Sequence, residues 1–282
     1  MKRVIVIDKK IRFFLDNHTE NTIVNKLRNA GCVFAEDEAQ LLISEAYSLE
    51  DLIRKVEKRV GGLPLEYVIG WAHFCGLRIA VERGVFVPRQ RTEFLVRHAK
   101  ELAGSGDVVV DLCCGSGAIG AALAAALDDL SLYCSDIDPI AIRCARRNMA
   151  RFGGQVFEGD LYKALPQPIK GYINILVANV PYVPTKAIDL LPTEARLYEP
   201  NLALDGGDDG LNILSKVVEE APFWLAPGGH LLIETSEMQA TQTFEIFVHA
   251  GFATEVVRDA ELDATVVIGT NPHFYSMIRG QS

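Results

Sequence analysis

Val108-Val109-Val110-Asp111-Leu112-Cys113-Cys114-Gly115-Ser116-Gly117-Ala118-Ile119-Gly120 is the stretch that decides the fold. Residues 108–112 read as a short buried strand, and residues 118–127 as the helix that follows it. The glycines between them let the backbone bend tightly and come close to a ligand. A strand, a glycine loop and a helix in that order open a doubly wound α/β sheet, whose ligands bind beyond the carboxyl ends of the strands. Gly115, Gly117 and Gly120 formally match the dinucleotide fingerprint, a weak signal by itself.

The alternation continues downstream. Residues 131–135 read as a second strand and 139–152 as the helix after it; Val156 and Phe157 mark a short third strand, and 173–178 a fourth. Residues 211–225 read as a helix, and the Pro227-Gly228-Gly229 turn feeds a fifth strand over 230–234. A helix over 239–250 stops at Gly251. Residues 253–257 and 265–268 are two β-runs joined by a short loop, which implies a terminal hairpin with an antiparallel strand. This order predicts an α/β fold with a doubly wound, seven-stranded, mostly parallel sheet.

Upstream the chain reads as helical. Ile23, Val24 and Leu27 share a face over 19–30, and Ala39, Leu42, Ile43 and Ala46 share one over 36–47. Ser48-Leu49-Glu50-Asp51 resembles a capping box that opens a helix through Val60. Residues 4–7 suit a strand and 11–15 a helix. Residues 74–81 and 84–88 read as two short strands separated by a charged turn, and 92–102 as a helix capped at Thr92. The expected organisation is a helical domain over 1–64, a β-hairpin linker over 65–90 and the main domain over 91–282.

Composition narrows the function classes. Apolar residues make up 49% of 282 and charged residues 23%, which fits an ordinary soluble globular protein. No apolar run reaches membrane-spanning length and the start is not a secretory signal, so no membrane association is expected. The six cysteines form no CxxC pair and the six histidines no HExxH, which points to reduced thiols, a cytoplasmic address and no metal. A net charge of −9 argues against nucleic acid as the direct substrate.

Asp136 closes the second strand, where a carboxylate can accept both ribose hydroxyls of NAD or of S-adenosylmethionine equally well. A turn or cap role ahead of Pro139 explains it as readily. Asp111, just ahead of the loop, tilts the choice toward a methyl donor, whose ammonium it could attract. Asp160-Leu161 is placed to contact an adenine. At the end of the fourth strand stands Asn179-Val180-Pro181-Tyr182. The Asn side chain offers an acceptor and a donor pair, and Pro181 pushes Val180 toward extended backbone. Such a stiff corner can grip a planar amide or amino group. A bare Asn-x-Pro-Tyr is more often a simple Pro turn, and it is the rest of the chain that reverses those odds.

Together these segments resemble the class I S-adenosylmethionine-dependent methyltransferases, and more narrowly the protein glutamine methyltransferases, as a divergent branch. Leu65 to Gly70 with Phe74 to Leu77 resembles the family's linker hairpin, Val87-Pro88-Arg89 with Thr92-Glu93 its approach to the catalytic domain, and Glu199-Pro200 with Gly206 to Leu211 the loop after its amide-gripping motif. The resemblance implies S-adenosylmethionine as cofactor, held by Asp111, Cys113, Cys114, Gly115, Ser116, Gly117, Asp136, Asp160, Leu161 and Asn179. It implies Asn179, Pro181 and Tyr182 as catalytic and Asn179, Val180, Pro181 and Tyr182 as substrate-binding. The helical domain would help recognise a protein substrate: a peptide-chain release factor first, a large-subunit ribosomal protein second. Two positions depart from the family pattern, Val180 where Pro is usual and Cys113 where Gly is usual. The competing functions are methylation of an exocyclic amine in DNA or RNA, nicotinamide-dependent oxidoreduction, and a catalytically silent binding protein. The first lacks a basic groove and the second leaves Asn179 to Tyr182 without a purpose.

Overall fold

The computed structural model describes residues 17–272, which divide into two compact units. One comprises the described residues up to Trp71 together with Thr193–Tyr198; the other comprises Ala72–Pro192 and the described residues from Glu199 onward. The elements expected over 4–7 and 11–15 lie outside the described residues.

The first unit is built from helices α1 (Asn17–Asn29), α2 (Ala35–Ser44), α3 (Leu49–Val60) and α4 (Leu65–Ile69). The apolar faces read from the sequence meet in one core of Leu27, Ala39, Leu42, Leu52 and Val56. Ser48 caps α3 by accepting the Asp51 N–H at 3.2 Å. Arg59 is buried near the end of α3 and carries two carboxylates, Glu38 at 2.6 Å and Glu194 from the distant helix Thr193–Tyr198. Tyr198 of that helix donates to the Gly61 carbonyl at 3.3 Å.

The second unit holds the elements that follow in chain order: β1 (Trp71–Phe74), apart from its first residue, β2 (Leu77–Ala80), α5 (Glu93–Leu102), β3 (Val108–Leu112), α6 (Ala118–Ala126), β4 (Ser131–Asp136), α7 (Pro139–Met149), β5 (Gln155–Glu158), β6 (Ile173–Ala178), then α9 (Asn212–Trp224), β7 (Leu225–Thr235), α10 (Ala240–His249), β8 (Ala253–Asp259) and β9 (Ala264–Thr270). Thr193–Tyr198, between β6 and α9 in the chain, is α8. The hairpin differs from its expected strands. It turns at Cys75-Gly76, whose φ values of 48° and 75° suit a tight two-residue connection, and residues 84–88 form no strand. Val85 and Val87 are instead buried from a segment without regular secondary structure.

Seven strands form one sheet in the order β5-β4-β3-β6-β7-β9-β8. The first five are mutually parallel; β9 runs antiparallel to both β7 and β8, the terminal hairpin that the sequence implies. Alternate residues face opposite sides. Val109, Ile175, Val177 and Leu232 pack with Phe94, Leu95, Ile119 and Leu123. Val110, Leu176, Leu231 and Ile233 pack with Leu214, Val217, Val218 and Phe247. β7 starts earlier than expected and passes through Pro227-Gly228-Gly229 with a slip of register against β6 between Ile173 and Ile175. The chain runs outward from β3 to β5 and then returns to lay β6 on the other side of β3. A crevice at such a switch point is the default ligand site of an open α/β sheet.

Candidate active site

The register fixes what shares this crevice. Leu112 of β3 pairs with Ala178 of β6, and Ala178 with Ile233 of β7. The glycine loop, Asn179 and Glu234 therefore emerge at one level, and Ser135, paired with Leu112, brings Asp136 beside the loop.

Asp111 lies fully buried beneath the loop. Its Oδ2 accepts the Gly120 N–H at 2.8 Å, while Oδ1 has no hydrogen-bond partner. Burial pushes the carboxyl up to about 7; the Gly120 N–H opposes the shift and the nearby Asp136 charge adds to it. An unfolded chain ionises Asp111 near 3.8, so between that value and about 7 the folded protein holds a proton that the unfolded one has lost. Stability consequently falls as pH rises through this window and levels off above it. Asp111→Asn, which can still accept from Gly120, removes that slope. In donor-free protein at pH 8 it should be more stable than wild type by up to about 4 kcal/mol, with the gap narrowing to about 1.5 kcal/mol at pH 5. Urea unfolding at both pH values measures this, and parallel slopes would disprove it.

Cys113 sits at φ 58°, in the left-handed region where the family pattern has Gly. A side chain there costs about 1–2 kcal/mol. Cys113→Gly, which relieves that cost but loosens the unfolded chain, should raise stability by about 0.5–1 kcal/mol, read as a shift in denaturation midpoint. Cys114 and Ser116 are buried; the Cys114 N–H donates to the Ser135 carbonyl at 2.9 Å, and Asn148 donates to the Ser116 carbonyl at 2.8 Å. Asp136 accepts the Gly115 N–H at 2.8 Å and the Asp138 N–H at 2.9 Å. The turn role is thus real, with Asp138 as the helix cap over Ile140 at 2.8 Å, and each Asp136 oxygen keeps lone-pair capacity. Asp160 is exposed and paired with Lys163 at 2.8 Å, and Leu161 beside it takes φ 46°. An unsatisfied buried carboxylate oxygen, a tightly bent backbone and a second carboxylate at the next strand end suit a ligand with an ammonium and a ribose.

In the Asn179–Tyr182 corner, Val180 points into the core and is 1% exposed, so its side chain is structural and only its backbone can serve a ligand. This explains how Val stands in for Pro. Asn179 Nδ2 donates to Thr92 Oγ1 at 3.2 Å. Arg91 donates to the Tyr182 hydroxyl, with its guanidinium carbon 5.8 Å from the ring centre, and its Nε reaches Glu234 Oε1 at 3.3 Å. Gln239 donates to the Tyr182 carbonyl at 3.0 Å and to the Asp209 carbonyl at 2.9 Å. Val183 pairs with Asp205, and a side chain at Gly206 would meet the Pro181 carbonyl at 2.7 Å. Residues 205–211 thereby brace the corner from behind. Arg89 contacts both oxygens of buried Glu199, at 2.7 and 2.6 Å.

Thr92 caps no helix; it is buried and serves Asn179. Glu93 at the start of α5 accepts the Cys75 N–H at 2.7 Å, joining helix to hairpin turn. Arg91 and Gln239 carry no sequence signal of their own, since a lone Arg in a turn and a lone Gln before a helix are ordinary surface residues.

The family model "Methyltransferase small domain" matches residues 76–199. A release factor glutamine methyltransferase of Geobacter sulfurreducens is 39% identical over 199 residues, 70% of this chain and 69% of that protein. One from Thermodesulfovibrio yellowstonii is 33% identical over 238 residues, 81% of this chain and 83% of that protein. Among solved structures, a methyltransferase from Pyrococcus furiosus superposes with a TM-score of 0.54 at 18% identity, over 70% of this chain and 90% of that one, a likeness of fold.

Proposed function

Since the chain belongs to the family of release factor glutamine methyltransferases, we propose that it methylates the side-chain amide nitrogen of a glutamine in a peptide-chain release factor, with S-adenosylmethionine as donor. The observation that carries this reading is the braced Asn179–Tyr182 corner, beside the glycine loop at the switch point of the sheet. Asp111, Cys113, Cys114, Gly115, Ser116, Gly117, Asp136, Asp160, Leu161 and Asn179 would hold the donor. When bound, it supplies a methyl group already activated by a sulfonium.

An amide nitrogen is a poor nucleophile because its lone pair is delocalised into the carbonyl. The chain's task is therefore to hold and polarise. Asn179 Oδ1 and the Val180 carbonyl accept the two amide hydrogens of the glutamine, and the Tyr182 ring packs on the flat amide. Fixing the amide can supply about 7–11 kcal/mol of the barrier at best, and the two acceptors return electron density to nitrogen. The helical domain expected over 1–64 is proposed to recognise the protein substrate.

The test is incubation of the purified protein with labelled donor and the release factors of its own cell. Mass spectrometry should place the label on one glutamine side chain. Label found only on a ribosomal protein would move the substrate within the same chemistry, and label only on nucleic acid would refute the proposal.

A further inference from the structure

Packing on a flat amide asks only for the ring of Tyr182, and a phenylalanine would offer the same face. The hydroxyl adds a handle. Burial pushes its pKa up, and a phenol oxygen taken out of water has to find a partner. That partner is Arg91, whose Nη2 donates to it. The guanidinium is anchored in turn: its Nε donates at 3.3 Å to Oε1 of Glu234, a residue 1% exposed near the end of β7. Nε–H and Nη2–H lie on one edge of a rigid planar fork, so fixing the first aims the second. The anchor holds in either protonation state of Glu234, because a carboxyl and a carboxylate both accept. The opposite end of Tyr182 is held from behind, where Gln239 donates to its carbonyl at 3.0 Å. With backbone and hydroxyl both tied, the long axis of the ring has a fixed direction.

We propose that Arg91 is a positioning residue for methyl transfer: it ties the Tyr182 hydroxyl to Glu234 and so sets the tilt at which the ring packs on the substrate amide. Arg91 acts through Tyr182. Its guanidinium carbon stands 5.8 Å from the ring centre, at the hydroxyl end of a side chain whose face is left for the amide. The turn that supplies Arg91 also supplies Thr92 to Asn179, so the acceptor and the ring of the corner are set by adjacent residues. The inference rests on the glutamine reading above.

Three variants test it. Arg91→Lys keeps the charge without the fork, Arg91→Met keeps an unbranched stem without either, and Tyr182→Phe keeps the ring without its handle. With a release factor as acceptor, each should lower kcat about 10-fold or more, with KM and donor affinity within about twofold of wild type. Combined, Arg91→Met and Tyr182→Phe should cost no more than about twofold beyond either alone, because both break the same bond. In spectra of protein carrying ¹³C at tyrosine Cζ, the Tyr182 signal is the one missing from Tyr182→Phe, and it should move in both Arg91 variants. Losses that multiply in the double variant, an Arg91→Met as active as wild type, or a loss confined to donor affinity would overturn the proposal. If wild type methylates no glutamine, the functional reading fails, and the Cζ signal still decides the clamp: moved in Arg91→Met it upholds it, unmoved it refutes it. Should Arg91→Met not fold, Arg91→Lys takes its place in the cycle and in the spectra.

Discussion

Asn179→Ala binds S-adenosylmethionine with near-native affinity and transfers methyl to its protein substrate at least about 10³-fold more slowly than wild type. The expectation follows from where the side chain is anchored. Its amino end is tied to Thr92 at 3.2 Å, which leaves the oxygen as the one side-chain acceptor that the corner can offer a flat carboxamide. Truncation removes that acceptor and the orienting bond together, while the glycine loop and Asp136 stay in place through contacts of their own. Calorimetry for the donor and labelled-methyl transfer for turnover separate the two effects. If affinity and turnover fall by the same factor, Asn179 serves the donor alone and its assigned grip on the glutamine amide is wrong.

Gly210→Ala has the second large expected effect, and it acts from behind the corner. Gly210 has φ +80°, and a Cβ there would lie 2.2 Å from the Tyr182 carbonyl oxygen and 2.4 Å from Gln239 Nε2. Neither atom can retreat freely, because Gln239 bonds the Tyr182 and Asp209 carbonyls at 3.0 and 2.9 Å. The left-handed backbone costs about 1–2 kcal/mol, and the two broken hydrogen bonds about 1 kcal/mol each. A loss of about 3 kcal/mol or more in chemical denaturation is expected, with activity lost even where the protein is still folded. Gly115→Ala is the control for backbone strain alone, since φ there is 54° and nothing lies within 4 Å of the added carbon. Equal stability of the two variants would show that the brace contributes nothing.

The sheet was legible because each of its strands signals itself locally. The apolar runs at 108–112 and 173–178, the glycine loop and the turn at 227–229 each carry their message within a few residues. The hairpin was misregistered for a similar reason. The charged residues Glu82 and Arg83 advertised a turn, whereas Cys75-Gly76 makes it, and only the positive φ of Cys75 reveals this. The corner itself was visible, but its support was not. Thr92 lies 87 residues from Asn179, Arg91 lies 143 from Glu234 and Gln239 lies 57 from Tyr182. Such pairings depend on strand register, which a linear pattern specifies only after the sheet order is known. Val180 stood out in the sequence only as a departure from the family pattern, while its burial in the core shows why the substitution is tolerated.

Thr193–Tyr198 belongs to the same compact unit as the opening helices, where Glu194 shares Arg59 with Glu38. The small unit is therefore discontinuous along the chain, and no single cut excises it whole. A fragment that stops at Trp71 would leave behind one carboxylate partner of a guanidinium that is 8% exposed. Any dissection of this enzyme into freestanding halves has to carry the inserted hexapeptide with the N-terminal piece, as a graft or added in trans.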